Sequence, residues 1–300
     1  MIASLAGALQ TACPGLKTNE LLSRHTSLAV GGPADYYAEV NSREELIALR
    51  RVCQSSQLAV FFLGAGSNLL VSDRGIRGLV IHLQGDFRQI QFGQGPEIQA
   101  GAAAWMPTVA RQCAEHGLAG IEALIGVPGT IGGGLVMNAG TRDGVLGDVV
   151  TAVDVLDAAG RVSRKALDQI VFSYRRSNLE GEWILGATLR LKVDERSHIM
   201  GRIDEYLKYR ARTQPLATSN CGSVFKNPEG QAAAQLIEQA GLKGAACGGA
   251  RISERHANFI INEKNASAAD VRTLMRQAQQ KVLEKFGVTL EPEVKLAGEW

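Results

Sequence analysis

The chain has 300 residues, of which 45% are apolar and 21% are charged, so it is long enough to bury the cores of two or three ordinary domains. Its formal net charge of +2 argues against a protein that binds nucleic acid through a broad basic face, although a small anionic ligand stays compatible. The longest uncharged apolar run, which follows Glu122, contains Pro128 and several glycines, so no membrane-spanning helix is expected.

The N-terminal residues show no basic region followed by the apolar segment of a signal peptide, which argues against secretion. Five cysteines are spread along the chain without a CxxC pair, so the sequence predicts neither a disulfide framework nor a metal site. We therefore expect a cytoplasmic protein without a bound metal.

Apolar periodicity predicts a mixture of helices and strands up to about residue 195 and mainly helices after it. The first clear helix begins with a capping box, because Glu45 stands three positions after Ser42. An antiparallel sheet is expected between Val149 and Val193, where apolar and polar residues alternate. The predicted elements are, in chain order, a helix at 42–53, a strand at 59–63, a loop at 64–68, a strand at 69–72, a helix at 107–117, a glycine-rich loop at 126–140, the sheet at 149–193, helices at 202–213 and 231–240, a strand at 258–262 and a helix at 267–286.

The first glycine-bearing loop, "GAGSN", raises the question of a nucleotide site. Gly64 and Gly66 give the GxG of a dinucleotide fingerprint, but Leu69 occupies the third glycine position. The following segment also predicts a strand, so the helix N-terminus that receives a pyrophosphate in a Rossmann unit is missing. Two alternatives remain: a plain tight turn, or a nest of backbone N–H groups that binds an anion, with Ser67 and Asn68 as added donors.

The second loop, "GVPGTIGGGLVMNAG", favours the nest. Pro128 fixes a bend, and the glycines at 129 and 132–134 permit positive φ and a close approach of a ligand to the backbone. Apolar residues are interleaved with these glycines, which suits a ligand with a phosphate end and an aromatic end. Two such loops about sixty residues apart indicate a large dinucleotide such as FAD.

Several motifs occur together in order from about residue 20 to the C-terminus: "RHTSLAVGGPADYYAEV", "FFLGAGSNLLVSDRGIRGLVI", "GLAGIEALIGVPGTIGGGLVMNAG", "FSYRRSNL", "CGSVFKNPEG", "GGARISERHANFIIN" and "FGVTLEPEVKLAGEW". As a set they resemble the UDP-N-acetylenolpyruvoylglucosamine reductase family. The resemblance implies an α+β fold, with a two-subdomain FAD-binding unit of the vanillyl-alcohol-oxidase (PCMH) type followed by a C-terminal α+β substrate-binding domain. The expected divisions are 1–90 and 91–195 for FAD and 196–300 for the substrate, with the C-terminal tail returning to the active site.

The resemblance also implies a reaction in two halves. NADPH, as co-substrate, reduces non-covalently bound FAD, and the flavin then passes hydride to the enolpyruvyl double bond of the UDP-sugar, giving UDP-N-acetylmuramate for peptidoglycan. The implied partners are therefore the UDP-sugar and NADPH, without nucleic acid or membrane, and the expected state is a monomer or a weak homo-oligomer.

Three catalytic residues are implied by the matching motifs. Ser223 of "CGSVFKNP" is the proton donor, and a neutral hydroxyl suits a strongly basic carbon acceptor. Arg175 of "YRRS" pairs with the substrate carboxylate and stabilises its enolate charge. Glu293 of "EPEV" acts as an acid or hydrogen-bond donor to the enol oxygen, which requires a raised pKa.

The same carry-over gives the binding residues. Those expected to bind FAD are Gly64, Ala65, Gly66, Ser67, Asn68, Pro128, Gly129, Thr130, Gly133, Asn138, Ala139 and Gly140. Those expected to bind the substrate are Lys226, Asn227, Arg210 and Gln214, each with a structural polar role as the alternative.

The chain departs from the family pattern at a few positions. Gly134 stands where alanine is expected, and Ser173 stands where glycine is commoner. The stretch from Arg176 to Cys221 is too short for the tyrosine-bearing insertion of one subclass, so the chain matches the short subclass. Cys221, the other nucleophile candidate beside Ser223, is interpreted as a small packing residue because no histidine lies near it in sequence.

Two other functions stay open from sequence. An oxidase with the same flavin fold would use molecular oxygen, and a flavin- or nucleotide-binding sensor would carry out no reaction. The first would release peroxide without any sugar nucleotide, and the second would be indifferent to loss of the Ser223 hydroxyl.

Overall fold

The computed structural model describes residues 4–300, and helices and strands are mixed along them, as expected of an α+β protein. Within those residues, no helix has both the length and the apolar character needed to cross a membrane. The α-helices are α1 (Leu5–Ala12), α2 (Arg43–Ser55), α3 (Met106–Glu115), α4 (Ile131–Met137), α5 (Arg196–Thr213), α6 (Ala233–Gln239) and α7 (Ala268–Phe286).

The chain divides into two compact units, each assembled from separate segments. The first contains residues up to Thr18, Tyr36–Gly64 and Gly78–Tyr209, and the second contains Asn19–Asp35, Ala65–Arg77 and Arg210–Trp300. Each unit has its own buried apolar core. The threefold division at residues 90 and 195 stays a prediction.

The first unit is built around the antiparallel sheet expected between Val149 and Val193, which the structure confirms and extends with two earlier strands. The strand order in this five-stranded sheet is Val162–Ala166, Val150–Leu156, Ile184–Arg190, Glu97–Gly101, Ile90–Phe92. The central strand Ile184–Arg190 is buried along nearly its whole length, because helices and loops cover it.

A four-stranded sheet has the order Lys17–Leu21, Pro33–Val40, Ile76–Leu83, Val60–Phe62, and its last pair is parallel. α2 begins at the predicted Ser42 N-cap, whose hydroxyl accepts the N–H of Glu45 at 3.3 Å. The other half of the predicted capping box is altered, since the Glu45 carboxylate accepts from the N–H of Asn41 at 2.8 Å.

The second unit combines an antiparallel sheet with a parallel strand pair. The sheet order is Ser219–Asn220, Ile260–Asn262, Ala250–Ile252, Ala246–Cys247, while Leu69–Val71 pairs in parallel with Lys295–Ala297. α7 follows the Ser267 capping box and ends at Gly287 in the left-handed conformation, as the sequence predicts. It buries Val271, Leu274, Met275, Ala278 and Val282 in this core.

The interpretation of 126–140 as a continuous loop is wrong, because residues 131–137 form α4. Thr130 caps the helix by accepting the N–H of Gly133 at 3.3 Å, and Ile131 and Leu135 are fully buried. Packing therefore outweighs the low helix propensity of three consecutive glycines. None of the glycines at 129 and 132–134 has a positive φ; Asn138 does, with φ 43°, as the left-handed C-cap.

Candidate active site

The segment Gly64–Asn68 joins strand Val60–Phe62 to strand Leu69–Val71, as expected. Gly66 has φ 62°, and a Cβ there would overlap the carbonyl oxygen of His25, so only glycine fits. Its own carbonyl accepts the N–H of Ser27 at 3.1 Å. The tight turn is therefore fixed by its conformation and by backbone contacts on both sides.

Asn68 connects this turn to the C-terminal tail. Its amide nitrogen donates to the carbonyl of Glu293 at 3.1 Å, and its backbone carbonyl accepts the N–H of Lys295 at 3.0 Å. Both contacts continue the parallel pairing of Leu69–Val71 with Lys295–Ala297. A predicted FAD residue and a predicted catalytic residue are thus adjacent in the second unit.

The segment 128–140 is anchored by its backbone to residues 102–106 of the same unit. Gly129 accepts the N–H of Met106 at 2.9 Å, and Gly132 donates to Ala102 at 2.8 Å. A Cβ on Gly132 would stand 3.1 Å from the Ala102 carbonyl oxygen, so these glycines serve close packing of the backbone. The segment is therefore fixed by its backbone against residues 102–106.

The side chain of Asn138, a residue predicted to bind FAD, is held by the protein. Its side chain is 6% exposed, donates to the carbonyl of Ser173 at 3.1 Å and accepts the N–H of Gly147 at 3.0 Å. The hydroxyl of Ser177 donates to the carbonyl of Val136 at 3.1 Å. Asn138 and Ser177 together attach α4 to the short hairpin that carries Arg175.

Arg175 is the second residue of the two-residue turn between strands Phe172–Ser173 and Arg176–Ser177. Its φ is 57°, a left-handed value at a turn position that favours glycine or asparagine. The guanidinium lies over the ring of Tyr174, with 5.1 Å to the ring centroid. A strained conformation of this kind is concentrated at functional sites, because the surroundings must hold it in place.

Ser223 and Glu293 lie on paired segments of the second unit. The carbonyl of Val224 accepts the N–H of Glu293 at 2.8 Å, and the N–H of Lys226 donates to the carbonyl of Glu291 at 2.9 Å. Gly222 precedes Ser223 with φ 77°, and a Cβ there would meet nothing within 4 Å. Glycine is therefore needed at 222 for its conformation and not for space.

Cys221, the competing nucleophile, is 2% exposed and packs in the core of the second unit. Burial raises the pKa of its thiol to about 12, so the thiol stays protonated at neutral pH. A protonated buried thiol is a poor nucleophile, in agreement with the packing role expected from the sequence.

The four residues predicted to bind the substrate all contact other groups of the protein. The ammonium of Lys226 pairs with Glu291 at 2.5 Å, and the side chain of Asn227 accepts the N–H of Ala233 at the start of α6 at 3.0 Å. Arg210 donates through Nε to Gln214 at 2.9 Å, and burial lowers the pKa of this guanidinium. Among the described residues Arg210 has no carboxylate partner, which leaves its charge available to an anion.

Two further residues of the second unit escaped the sequence reasoning. Arg255 donates through Nη1 to the carbonyls of Ala211 at 3.2 Å and Gln214 at 3.4 Å. Asn258 is 3% exposed and binds the backbone of Phe225. The available signal for Asn258 was a single amide at the start of an apolar strand, where an unpaired polar group is costly.

A cavity of about 390 Å³ in the first unit contains none of the predicted site residues. Three of the charged residues that line it are paired with one another, since Arg202 binds Glu122 at 2.6 Å and Asp194 at 2.7 Å. Across residues 4–300, no group of three or more His, Cys, Asp or Glu side chains is arranged to hold a metal ion.

The glycine-bearing segments fit a bound dinucleotide. A Cβ on Gly64 would stand 2.8 Å from the hydroxyl of Thr130, so even one methyl group would fill the space where these two residues of the first unit meet. Backbone this bare lets phosphate oxygens reach N–H groups that a larger side chain would cover. The family model described as "FAD binding domain" matches residues 34–165, a range that includes both segments.

Solved structures agree with the predicted fold class. The chain is similar to UDP-N-acetylenolpyruvylglucosamine reductase (MurB) from Thermus caldophilus, with a TM-score of 0.82 and 37% identity, over 94% of this chain and 98% of that one. It is also similar to Phl p 4.0202, a glucose dehydrogenase, with a TM-score of 0.50 and 12% identity, over 70% and 50% of the two chains. The second likeness shows the fold alone, and with the first it confirms the α+β, PCMH-type prediction.

Curated relatives are similar over the whole chain. UDP-N-acetylenolpyruvoylglucosamine reductase 2 of Symbiobacterium thermophilum is 45% identical, over 95% of this chain and 93% of the relative. The reductase of Moorella thermoacetica is 45% identical over 99% of both chains. A second family model, the UDP-N-acetylenolpyruvoylglucosamine reductase C-terminal domain, matches residues 214–297. The chain therefore belongs to the UDP-N-acetylenolpyruvoylglucosamine reductase family, and FAD is its cofactor.

Proposed function

We propose that this FAD-dependent oxidoreductase reduces UDP-N-acetylenolpyruvoylglucosamine to UDP-N-acetylmuramate, with NADPH as the source of electrons. Bound FAD supplies the hydride, which goes to the terminal methylene of the enolpyruvyl group. The remaining carbanion next to the carboxylate takes a proton, so that one hydride and one proton saturate one double bond. We also assign the reaction to the cytoplasm, where five unpaired cysteines suit a reducing environment.

One observation carries the assignment of the proton donor. Val224, next to Ser223, binds the backbone of Glu293, and Glu293 in turn accepts from the amide of Asn68. Hydrogen bonds inside one unit therefore connect the residue after the predicted donor, the predicted acid and the predicted cofactor turn. This continuity supports Ser223 as the residue that protonates carbon.

Charge complementarity supports the remaining roles. Arg175, held in a strained turn, pairs with the substrate carboxylate and strengthens that contact as enolate charge develops, which lowers the barrier selectively. Glu293 donates a hydrogen bond to the enol oxygen. Arg210, which bonds Gln214 and has no carboxylate partner among the described residues, binds the diphosphate end together with Gln214. Lys226 and Asn227 bind the sugar nucleotide from the following loop.

The decisive experiment separates the two half-reactions in an anaerobic stopped-flow instrument. Ser223→Ala should allow NADPH to reduce the flavin at the wild-type rate, while reoxidation by the enolpyruvyl sugar nucleotide slows by roughly 10³-fold or more, because the proton donor is gone. Ser223→Cys should recover part of that loss, since a thiol also donates a proton.

Cys221→Ala provides the matched control, because it changes the neighbouring side chain by one heavy atom and should reoxidise like wild type. A Ser223→Ala variant that keeps full reoxidation would refute the donor assignment. Peroxide released at a substrate-independent rate would favour the oxidase alternative, and absence of any turnover with the sugar nucleotide would contradict the reductase.

A further inference from the structure

The buried side-chain amide of Asn258 bonds the backbone of another segment in the way that a neighbouring β-strand would. Its Oδ1 accepts the N–H of Phe225 at 2.9 Å, and its Nδ2 donates to the carbonyl of Phe225 at 2.8 Å. Its backbone carbonyl accepts the N–H of Val224 at 2.8 Å. With only 3% of its surface exposed, Asn258 satisfies both backbone groups of one residue and one group of the preceding residue.

The opposite edge of the same segment pairs with the C-terminal tail. The carbonyl of Val224 accepts from Glu293 at 2.8 Å and from Val294 at 3.3 Å, and Phe225 forms an isolated antiparallel bridge with Pro292. Residues 224 and 225 therefore lie between Asn258 on one side and the Glu293 segment on the other. On the Asn258 side, the side chain and the backbone carbonyl of one residue take the place of a neighbouring strand.

The position of Ser223 follows from these contacts on both sides of residues 224 and 225. Ser223 comes directly before Val224, the first of the two residues that are held on both sides. Before Ser223, Gly222 adopts a left-handed conformation, and a Cβ there would meet nothing within 4 Å. After Ser223 the backbone is held by hydrogen bonds on both sides, whereas before it the N–H of Gly222 donates to Asn220 Oδ1 at 3.0 Å. Loss of the Asn258 amide would remove both contacts to Phe225 and leave this edge held only by the bond from the Val224 N–H to the Asn258 backbone carbonyl.

We propose that Asn258 is a positioning residue for proton transfer: it fixes the Ser223 hydroxyl relative to Glu293 without contacting substrate or flavin. This inference rests on the proposed role of Ser223. A buried asparagine by itself indicates only an amide whose hydrogen bonds are satisfied in the core. The inference gives this one a specific function.

The test uses the FAD-loaded full-length protein and the variants Asn258→Ala and Asn258→Asp. Alanine removes both side-chain contacts, and aspartate places an acceptor against the Phe225 carbonyl. We expect NADPH to reduce the flavin within about twofold of wild type, while reoxidation by the sugar nucleotide slows roughly 10- to 100-fold, as expected for a displacement on the order of 1 Å. The solvent isotope effect on reoxidation should rise, because proton transfer limits the rate more strongly.

A double-mutant cycle decides whether the effect runs through Ser223. In the Ser223→Ala background, Asn258→Ala should change reoxidation by less than about threefold, since no donor remains to be positioned. Asn262→Ala is the matched control: this asparagine lies in the following strand, Ile260–Asn262, and its amide binds the carbonyls of Leu28 and Ala29 instead. It should lower thermal stability without raising the solvent isotope effect.

Equal slowing of both half-reactions, or the same loss with and without Ser223, would overturn the positioning role while leaving the reductase function intact. A wild-type protein that cannot be reoxidised by the sugar nucleotide would overturn the function and the inference together. If Asn258→Ala fails to fold, Asn258→Ser, which keeps a short acceptor, takes its place. If none of the three variants folds, Asn258 serves the fold itself and the inference is wrong.

Discussion

At the scale of single residues, Arg175 shows how a functional side chain can conflict with its backbone. A non-glycine residue with φ 57° costs on the order of 1 kcal/mol relative to glycine, because its Cβ crowds the backbone. The hairpin tolerates this cost because Asn138 and Ser177 attach it to α4. The arginine is therefore retained at a position where stability alone would favour glycine.

Arg175→Gly and Arg175→Ala separate the two effects. We expect both variants to lose reoxidation by the substrate by roughly 10²- to 10³-fold, since neither can pair with the carboxylate. Glycine should nevertheless be more stable than alanine by about 1 kcal/mol, because only alanine retains the strained Cβ. Chemical denaturation of the two variants measures the difference, and equal stabilities would contradict the strain argument.

At the scale of secondary-structure elements, α4 shows why the sequence predicts a loop where the structure has a helix. Its glycines suggested a loop, but their role is close packing: a Cβ on Gly134 would stand 2.7 Å from Met106 Sδ and 3.0 Å from Leu146 Cδ2. Helix propensity alone cannot reveal such contacts, because they depend on residues that are distant in sequence. By contrast, α2 and α7 were predictable, since their capping residues and apolar faces are local.

Gly134→Ala and Gly140→Ala should differ strongly in stability. At 134 the neighbouring atoms are the ends of flexible side chains, so their displacement is offset by a helix-propensity gain of about 1 kcal/mol, and the net change should stay within about 1 kcal/mol. At 140 a Cβ would meet the backbone, including Val145 Cα at 2.5 Å, so destabilisation of roughly 1–3 kcal/mol is expected.

Urea denaturation of the apoprotein measures both effects without any contribution from cofactor binding. Gly133→Ala is the control, since its Cβ would contact only Thr130 Oγ1, at 3.5 Å, and should stabilise α4 slightly. A Gly140→Ala variant as stable as Gly134→Ala would show that the backbone near 145 moves freely.

At the scale of the whole molecule, buried thiols couple stability to pH. Burial raises the pKa of Cys53 to about 11 and the pKa values of Cys113 and Cys221 to about 12, from an ordinary value of 9.0. Above pH 9 the unfolded chain loses these protons while the folded chain keeps them. The stabilisation is thus complete below pH 9 and disappears as the pH rises toward about 12.

We expect the free energy of unfolding to fall between pH 9 and 11 by on the order of 1 kcal/mol per pH unit for each of these thiols. Denaturation at several pH values measures the slope, and Cys113→Ala should reduce it by one thiol's share even though the substitution also lowers stability at pH 7. Tyrosines and lysines contribute equally to both proteins, so the comparison removes them. Identical slopes for wild type and variant would contradict the buried-thiol explanation.

The sequence by itself determined the family-level features: the α+β class, the capped helices, the flavin cofactor and the motif around Ser223. These depend on local patterns and on motifs in a fixed order, which can be read without coordinates. Only the tertiary structure decided that α4 is a helix, that the Asn138 side chain is turned into the protein, and that Asn258 binds the segment after Ser223. The reason is physical: each of these depends on which backbone groups a buried amide or a bare glycine meets, and those partners lie 33 residues away for Asn258 and 35 for Asn138.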